Sequence, residues 1–398
     1  MADLSVTFCG IKFENPFVLA PSPCTDELEM VQRGLQAGWA GAVLKSTHAE
    51  SIVFEPVSPL LKGWDFEEKK MVGLGNIDLN SRYPVVIVEE RVRQLKKEFP
   101  GKVIIASTCG IDKETWQEPT KRLVTAGADI IECATSCPQG HVGMEAGRAL
   151  CEDLPALKQV VGWVKEAAGS VPVIVTIIGE FDNVAAARAI KEAGGDAARV
   201  VGMRRAIMGV DLDTFIPYPN VAGKTTYAGY SGPAIKPISL RVVCEVAREV
   251  RIPIEAGGGA MTWQDVLEFM LLGAGIVQFA GAVMRNGFRI IDDLKEGVET
   301  YLDEKHIAGV SELIGKSLAC VVTQNELSRE YRVVSTINRE TCIKCDLCYI
   351  ACSDGGHMAI ELDGERIPIV DEEKCVGCGL CQIVCPVWDC VTLKAKTS

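Results

Sequence analysis

IPIEAGGGAMTWQDVLEFMLLGAGIVQFAGAV, residues 252–283, carries the pattern that decides the fold. An apolar run (252–257) ends in Gly257-Gly258-Gly259, a stretch with apolar residues at helical spacing follows (262–272), and a second apolar run (276–283) contains Ala280-Gly281-Ala282. Working outward, six more apolar runs occur at 16–20, 41–45, 103–109, 129–134, 172–178 and 197–202. Each fits a strand covered on both faces, which reads as a continuous apolar run rather than an alternating one. Helical periodicity fills most of the gaps, at 26–37, 89–99, 114–126, 154–168, 183–193 and 239–250, often ended by Gly. Eight alternations over roughly 270 residues predict a (β/α)8 TIM barrel rather than an open doubly wound sheet, with the chemistry at the strand C-termini. Residues 5–13 alternate around Cys9-Gly10 as a hairpin that could close the barrel's bottom.

The chain has 398 residues, 48% hydrophobic and 24% charged, which suits a folded protein of two or three domains and excludes a mainly disordered one. Its 41 Lys+Arg against 53 Asp+Glu leave a net charge of -12, which repels phosphate backbones and anionic lipid, so no nucleic acid and no membrane are expected as partners. No apolar run approaches the ~20 residues that cross a bilayer, and MADLSVTFCG lacks the pattern of a secretory leader, so a cytoplasmic protein is expected.

Seventeen cysteines in a reducing compartment point to metal ligation or catalysis, and nine of them lie in the last 57 residues. The expected organisation is therefore a barrel over 1–289, a helical, charged bridge over 290–338 and a small α+β ferredoxin-type domain over 339–398. In that tail Cys342-x2-Cys345-x2-Cys348-x3-Cys352 is followed after 22 residues by Cys375-x2-Cys378-x2-Cys381-x3-Cys385-Pro386, the bacterial two-cluster ferredoxin pattern. Three closely spaced thiolates wrap one face of a [4Fe–4S] cube while the fourth Cys of each run ligates the other cluster. Cys342, Cys345, Cys348 and Cys385 are thus expected to hold one cluster, and Cys375, Cys378, Cys381 and Cys352 the other. Paired zinc knuckles would not require all eight positions together. Cys390 is surplus to the pattern.

Two such clusters carry single electrons, which calls for a two-electron converter, and a flavin is the usual one. The G-x-G-x-x-G dinucleotide fingerprint is absent, so any NAD(P)H is expected to be oxidised by a partner flavoprotein subunit or delivered through an electron carrier. Barrels bind phosphate with the loops after strands 7 and 8, where Gly257, Gly258 and Gly259, and Gly281 and Ala282, stand; FMN, with one phosphate, fits better than FAD, although a triple glycine alone can be only a tight turn. Lys45 ends strand 2 inside an apolar run, where it either contacts flavin or snorkels to the surface. Cys137 lies in a loop after strand 4 with the composition of a mobile segment; it could move a proton on the substrate face opposite a flavin, or be inert like the other barrel cysteines.

Taken as a set, Lys45 with Val57-Ser58-Pro59, Ser136-Cys137-Pro138, the run 225–237 (TTYAGYSGPAIKP) and Asp389-Cys390 make the chain resemble the dihydropyrimidine dehydrogenase family, of the dihydroorotate dehydrogenase-like superfamily, over nearly its full length. The resemblance implies Cys137 as the general acid/base, Lys45 on FMN, Asn76 on the pyrimidine and at the cofactor, Ser136 beside the substrate, and Ser231-Gly232 on the flavin. Ala20, at the end of strand 1, and Thr176, on strand 5, are placed with the cofactor residues. The family usually has a Lys where Thr176 stands, and its loss is expected to make the flavin harder to reduce. It also has substrate-binding Asn residues where Ala134 and Gly202 stand, and uracil's ring edge would then lack partners at a cost of roughly 1–3 kcal/mol each. Arg204 and Arg205 come together after strand 6, with His141 and Arg148 in the loop after strand 4; the arginine pair either binds an anionic group such as a carboxylate on a conjugated ring, or supplies the charge lost with the missing lysine, or is a solvated surface turn.

The leading expectation is an FMN and iron–sulfur oxidoreductase of dihydropyrimidine dehydrogenase type. It would add hydride and proton across a C=C bond of a conjugated small-molecule ring, uracil or thymine to the dihydro form and reversibly, within an oligomer. A reductase of another, anionic ring is the first alternative. An electron-transfer subunit with a non-catalytic barrel is the second.

Overall fold

A computed structural model describes residues 2–66, 69–136, 149–178 and 180–396. Two compact units divide between Cys320 and Val321. In the first, eight parallel strands close into a barrel in chain order: β1 (Phe17–Leu19), β2 (Gly41–Thr47), β3 (Val103–Thr108), β4 (Ile130–Cys133), β5 (Val173–Ile178), β6 (Ala197–Val201), β7 (Ile254–Gly257) and β8 (Ile276–Phe279). Closure leaves no unpaired edge, and every residue of β1, β3, β4, β5, β7 and β8 is buried. The helices expected from the apolar spacing form the outer ring, for example Lys113–Ala126 and Trp263–Leu271. Asp112 caps the first of these and Thr262 the second, each with a reciprocal bond from the third helical residue, satisfying backbone N–H groups that a helix start leaves open.

The hairpin Val6–Phe8 with Ile11–Phe13 turns through Cys9 and Gly10, both at positive φ. It sits at the strand N-termini, with Phe8 against Gly275 just before β8 and Cys9 Sγ 4.0 Å from the Asp196 carbonyl just before β6. At the opposite end lies a feature the periodicity did not predict: a four-stranded antiparallel sheet in the order Arg204–Ala206, Ala228–Ser231, Lys69–Asn76, Leu61–Phe66. Its two inner strands carry Gly73, Gly75 and Gly229, and the gaps these leave are filled by long side chains: a Cβ on Gly229 would strike Met203 Sδ at 2.3 Å.

The stretch expected to bridge the two domains, 290–338, is itself divided. Helix Ile290–Glu304 buries Ile291, Leu294, Val298 and Leu302 in the barrel's own apolar core, so the first unit extends to Cys320. The second unit pairs Val333–Ile337 with Val391–Ala395 and Ile360–Leu362 with Pro368–Val370, over helices Leu347–Gly355 and Leu380–Val384. It is a ferredoxin-type α+β domain. Among the described residues no helix is long and apolar enough to cross a membrane.

Phe13 is fully buried and meets Phe8 edge-on with ring centroids 6.4 Å apart. Phe13→Ala is expected to cost about 3–5 kcal/mol in urea unfolding of the first unit. The cofactor absorption of the folded variant should be unaltered, since the hairpin lies at the end of the barrel away from the strand C-termini.

Candidate active site

At the C-terminal ends of the strands a cavity opens. Ala20 reaches it from the end of β1, Asn76 and Ser231-Gly232 from the antiparallel sheet, Gly257-Gly258-Gly259 from β7, and Gly281-Ala282 from the turn after β8. Nine residues expected at the cofactor therefore line one space. Gly258 (φ 99°) and Gly259 (φ 95°) stand in the left-handed region, and a Cβ would meet the Gly202 amide nitrogen at 2.9 Å from the first and the Lys236 amide nitrogen at 2.6 Å from the second. Among the described residues no hydrogen bond uses the N–H of Gly258 or Gly259. A Cβ on Gly281 would project into open space. Backbone donors without partners, in a turn no side chain obstructs, suit a phosphate. Deeper in, the Gln278 side chain is 3% exposed, with both its amide nitrogen and its carbonyl oxygen unpartnered, which suits a polar ring edge. The residues present fit FMN.

Other expected residues stand elsewhere. Lys45 lines an adjoining cleft with Phe54, Val57 and Ile77, where its ammonium lies 2.6 Å from Asp78 and 3.6 Å from Asp26; it is a buried ion pair rather than a surface lysine. Thr176 is 1% exposed on β5 with its hydroxyl unpartnered. Arg205 is engaged by Glu180 at 2.8 Å and Glu152 at 3.1 Å, over the ring of Phe181. Arg204 is half-buried beside Tyr230, and burial lowers its pKa. Neither arginine lines the cavity. Ser136 is half-buried at the end of the described part of its loop, and Cys137, His141 and Arg148 lie outside the described residues.

Periodicity alone did not single out a set of polar side chains inside the barrel. Glu132 on β4, Arg199 on β6, Glu255 on β7 and Gln278 on β8 are each a polar interruption of an otherwise apolar strand. That interruption was the available signal. Arg199 Nη1 donates to Glu132 Oε1 at 3.0 Å, and the Ser107 hydroxyl donates to the same oxygen at 2.8 Å. Arg199 and Gln278 both line the cavity.

In the second unit Cys352, Cys375, Cys378 and Cys381 line one pocket, so the fourth cysteine of the first run stands with the three of the second. Cys348 has Cys342 and Cys345 as neighbours, and Cys390 stands near both Cys385 and Cys342. Backbone and hydroxyl groups already address the sulfurs: Ala359 N–H lies 3.3 Å from Cys352 Sγ, and the Ser335 hydroxyl 3.2 Å from Cys381 Sγ. Such hydrogen bonds tune cluster potentials. The crossed grouping fits two [4Fe–4S] cubes.

Residues 3–302 match the family described as Dihydroorotate dehydrogenase, and residues 335–393 the 4Fe-4S dicluster domain. The chain is 36% identical over 368 residues to the NAD-dependent dihydropyrimidine dehydrogenase subunit PreA of Escherichia coli (strain K12), covering 90% of this chain and 87% of that protein. It is 29% identical over 343 residues to the chloroplastic dihydropyrimidine dehydrogenase (NADP(+)) of Arabidopsis thaliana, covering 83% and 80%. To the catalytic subunit of dihydroorotate dehydrogenase B (NAD(+)) of Thermococcus kodakarensis it is 32% identical over 324 residues, covering 80% and 99%. The chain is an oxidoreductase acting on CH–CH groups, with FMN and [4Fe–4S] clusters as its cofactors.

If the runs cross as the cavity suggests, Cys352→Ser and Cys375→Ser each remove about half of the iron and acid-labile sulfide. The double variant should then lose no more than either single one. Additive loss in iron analysis would show instead that each run holds its own cluster.

Proposed function

Because the chain belongs to the dihydroorotate dehydrogenase family and continues into a 4Fe-4S dicluster domain, we propose that it reversibly reduces the C=C bond of a pyrimidine, uracil or thymine, to the dihydro form. The observation that carries this reading is the gathering of Asn76, Ser231-Gly232 and the two glycine turns around one cavity at the mouth of the barrel. FMN, when bound, supplies the hydride and converts between electron pairs and the single electrons of the clusters. Asn76 presents an amide to the ring edge; its own carbonyl oxygen accepts from the Asp78 N–H at 2.8 Å, which fixes the side chain's orientation. Met203, Met261 and Met284 line the same space and exclude water from the reacting bond. Cys137 is assigned the proton, given to the other carbon of the same double bond as the one that takes hydride. A cytoplasmic, NAD(P)H-oxidising flavoprotein subunit or an electron carrier supplies the electrons, in keeping with a chain that has no dinucleotide fingerprint and with a relative named as a subunit.

A second reading, reduction of a ring without the amide edge of a pyrimidine, is favoured by one observation. At Gly202 a Cβ would lie 1.6 Å from the Ser239 hydroxyl, so no amide side chain fits there without moving Ser239. The neighbouring Met203 lines the cavity instead.

The holoprotein, photoreduced without oxygen and then given uracil or thymine, should recover its flavin absorption under the pyrimidine reading. A flavin that stays reduced turns the search to other conjugated rings. Cys137→Ala is expected to lower turnover at least 100-fold with flavin and clusters retained; unchanged turnover would mark a relay with a non-catalytic barrel.

A further inference from the structure

The cavity that gathers the glycine turns has a single charge of its own. Among the described residues lining it, Arg199 is the one ionised side chain. Its place is set by the barrel: β6 lies between β5 and β7, in a register that puts Arg199 beside Thr176 on one strand and Glu255 on the other. The guanidinium holds Glu132 at 3.0 Å and keeps its Nε buried without a partner. Glu132 and Glu255 are both fully buried. Neither oxygen of Glu255 makes a close hydrogen bond; around it stand Glu132 from β4, Arg199 from β6, Gln278 from β8 and Cys9 from the N-terminal hairpin.

One guanidinium and two carboxylates would leave a net negative charge in a sealed interior. Burial, together with the charge on Glu132 and against the pull of Arg199, pushes Glu255 up to about 8. Near neutral pH Glu255 therefore keeps its proton, the set is neutral, and its cationic member is the one that borders the cavity. Two electrons and one proton added to FMN leave a negative charge on the ring system, which a fixed cation in a low-dielectric site stabilises over the uncharged oxidised ring.

We propose that Arg199, held between Glu132 and Glu255, is the cation that sets the reduction potential of the bound FMN, and that the carboxyl of Glu255 makes this setting respond to pH. The proposal rests on the reading that this cavity holds FMN. It also answers the loss of a lysine at Thr176, since the charge stands one strand away, directly beside that position. The sign of the pH response follows from the charges. Above about pH 8 Glu255 ionises, the set becomes negative, and the reduced flavin is disfavoured. The midpoint should then fall with pH more steeply than proton uptake by the flavin alone requires.

The test uses purified holoprotein, flavin and clusters in place, titrated anaerobically with dithionite and, separately, with sulfite, which adds to oxidised flavin as an anionic adduct. Arg199→Met should weaken sulfite binding at least tenfold and lower the two-electron flavin midpoint by about 30 mV or more, the equivalent of a tenfold change. Thr176→Lys in the Arg199→Met background should restore both. Glu255→Gln should keep the midpoint at pH 7 and lose the extra fall above pH 8; it stands by itself if Arg199→Met does not fold. Wild-type sulfite affinity and midpoint in Arg199→Met, or an unchanged pH profile in Glu255→Gln, would overturn the proposal. Purified wild-type protein without flavin absorption would instead overturn the reading of the cavity, a distinguishable result.

Discussion

Eight parallel strands can hydrogen-bond completely only by closing on one another, and the rest of the barrel unit follows from that closure. Once the ring is shut, backbone donors and acceptors are paired around it, and one set of side chains from each strand has nowhere to go but the centre. The strand C-termini then surround a single mouth. Residues as distant in the chain as Ala20, Asn76, Ser231, Gly257 and Gly281 meet there because the strands and the antiparallel sheet above them end there. The hairpin through Cys9 and Gly10 lies against the other end, with Phe8 packed on Gly275.

A closed apolar interior is hostile to charge, which is what makes Glu132, Arg199 and Glu255 informative. Replacing a buried ion pair by well-packed apolar residues is often neutral or stabilising, so stability alone does not call for these side chains. Their surroundings match a different demand. Ser107 and Ser46 extend the network by hydroxyls 2.8 Å apart, and at its other end the network borders the cavity through Arg199. The hydrogen-bonded groups thus run from Ser46 through Ser107 and Glu132 to Arg199 at the cavity.

Most of the architecture was legible from local pattern, because buried parallel strands produce apolar runs and their covering helices produce a 3.6-residue spacing. Strands at 103–109 and 172–178 appear as Val103–Thr108 and Val173–Ile178, shifted by a residue at most. The antiparallel sheet escaped because strands such as Ala228–Ser231 and Lys69–Asn76 are held by cross-strand packing around glycine, not by their own propensity. The glycine turns were legible from their place after the last two strands. The neutralisation of Arg205 by Glu180 and Glu152 was not, since those partners lie 25 and 53 residues away in the chain. Nor could spacing show Lys45 meeting Asp78, or one polar residue per strand converging at the centre; those are facts of three-dimensional register. The extent of the first unit likewise depended on which face of Ile290–Glu304 is buried.

The two cysteine runs share a backbone path but not its chemistry. Lys344 (φ 58°) and Asp346 (φ 61°) occupy the left-handed conformations that Gly377 (φ 68°) and Gly379 (φ 83°) occupy at the corresponding places of the second run. Glycine adopts that shape freely, whereas a side chain pays of the order of 1–2 kcal/mol at each such position. The second run therefore follows this path with less backbone strain than the first.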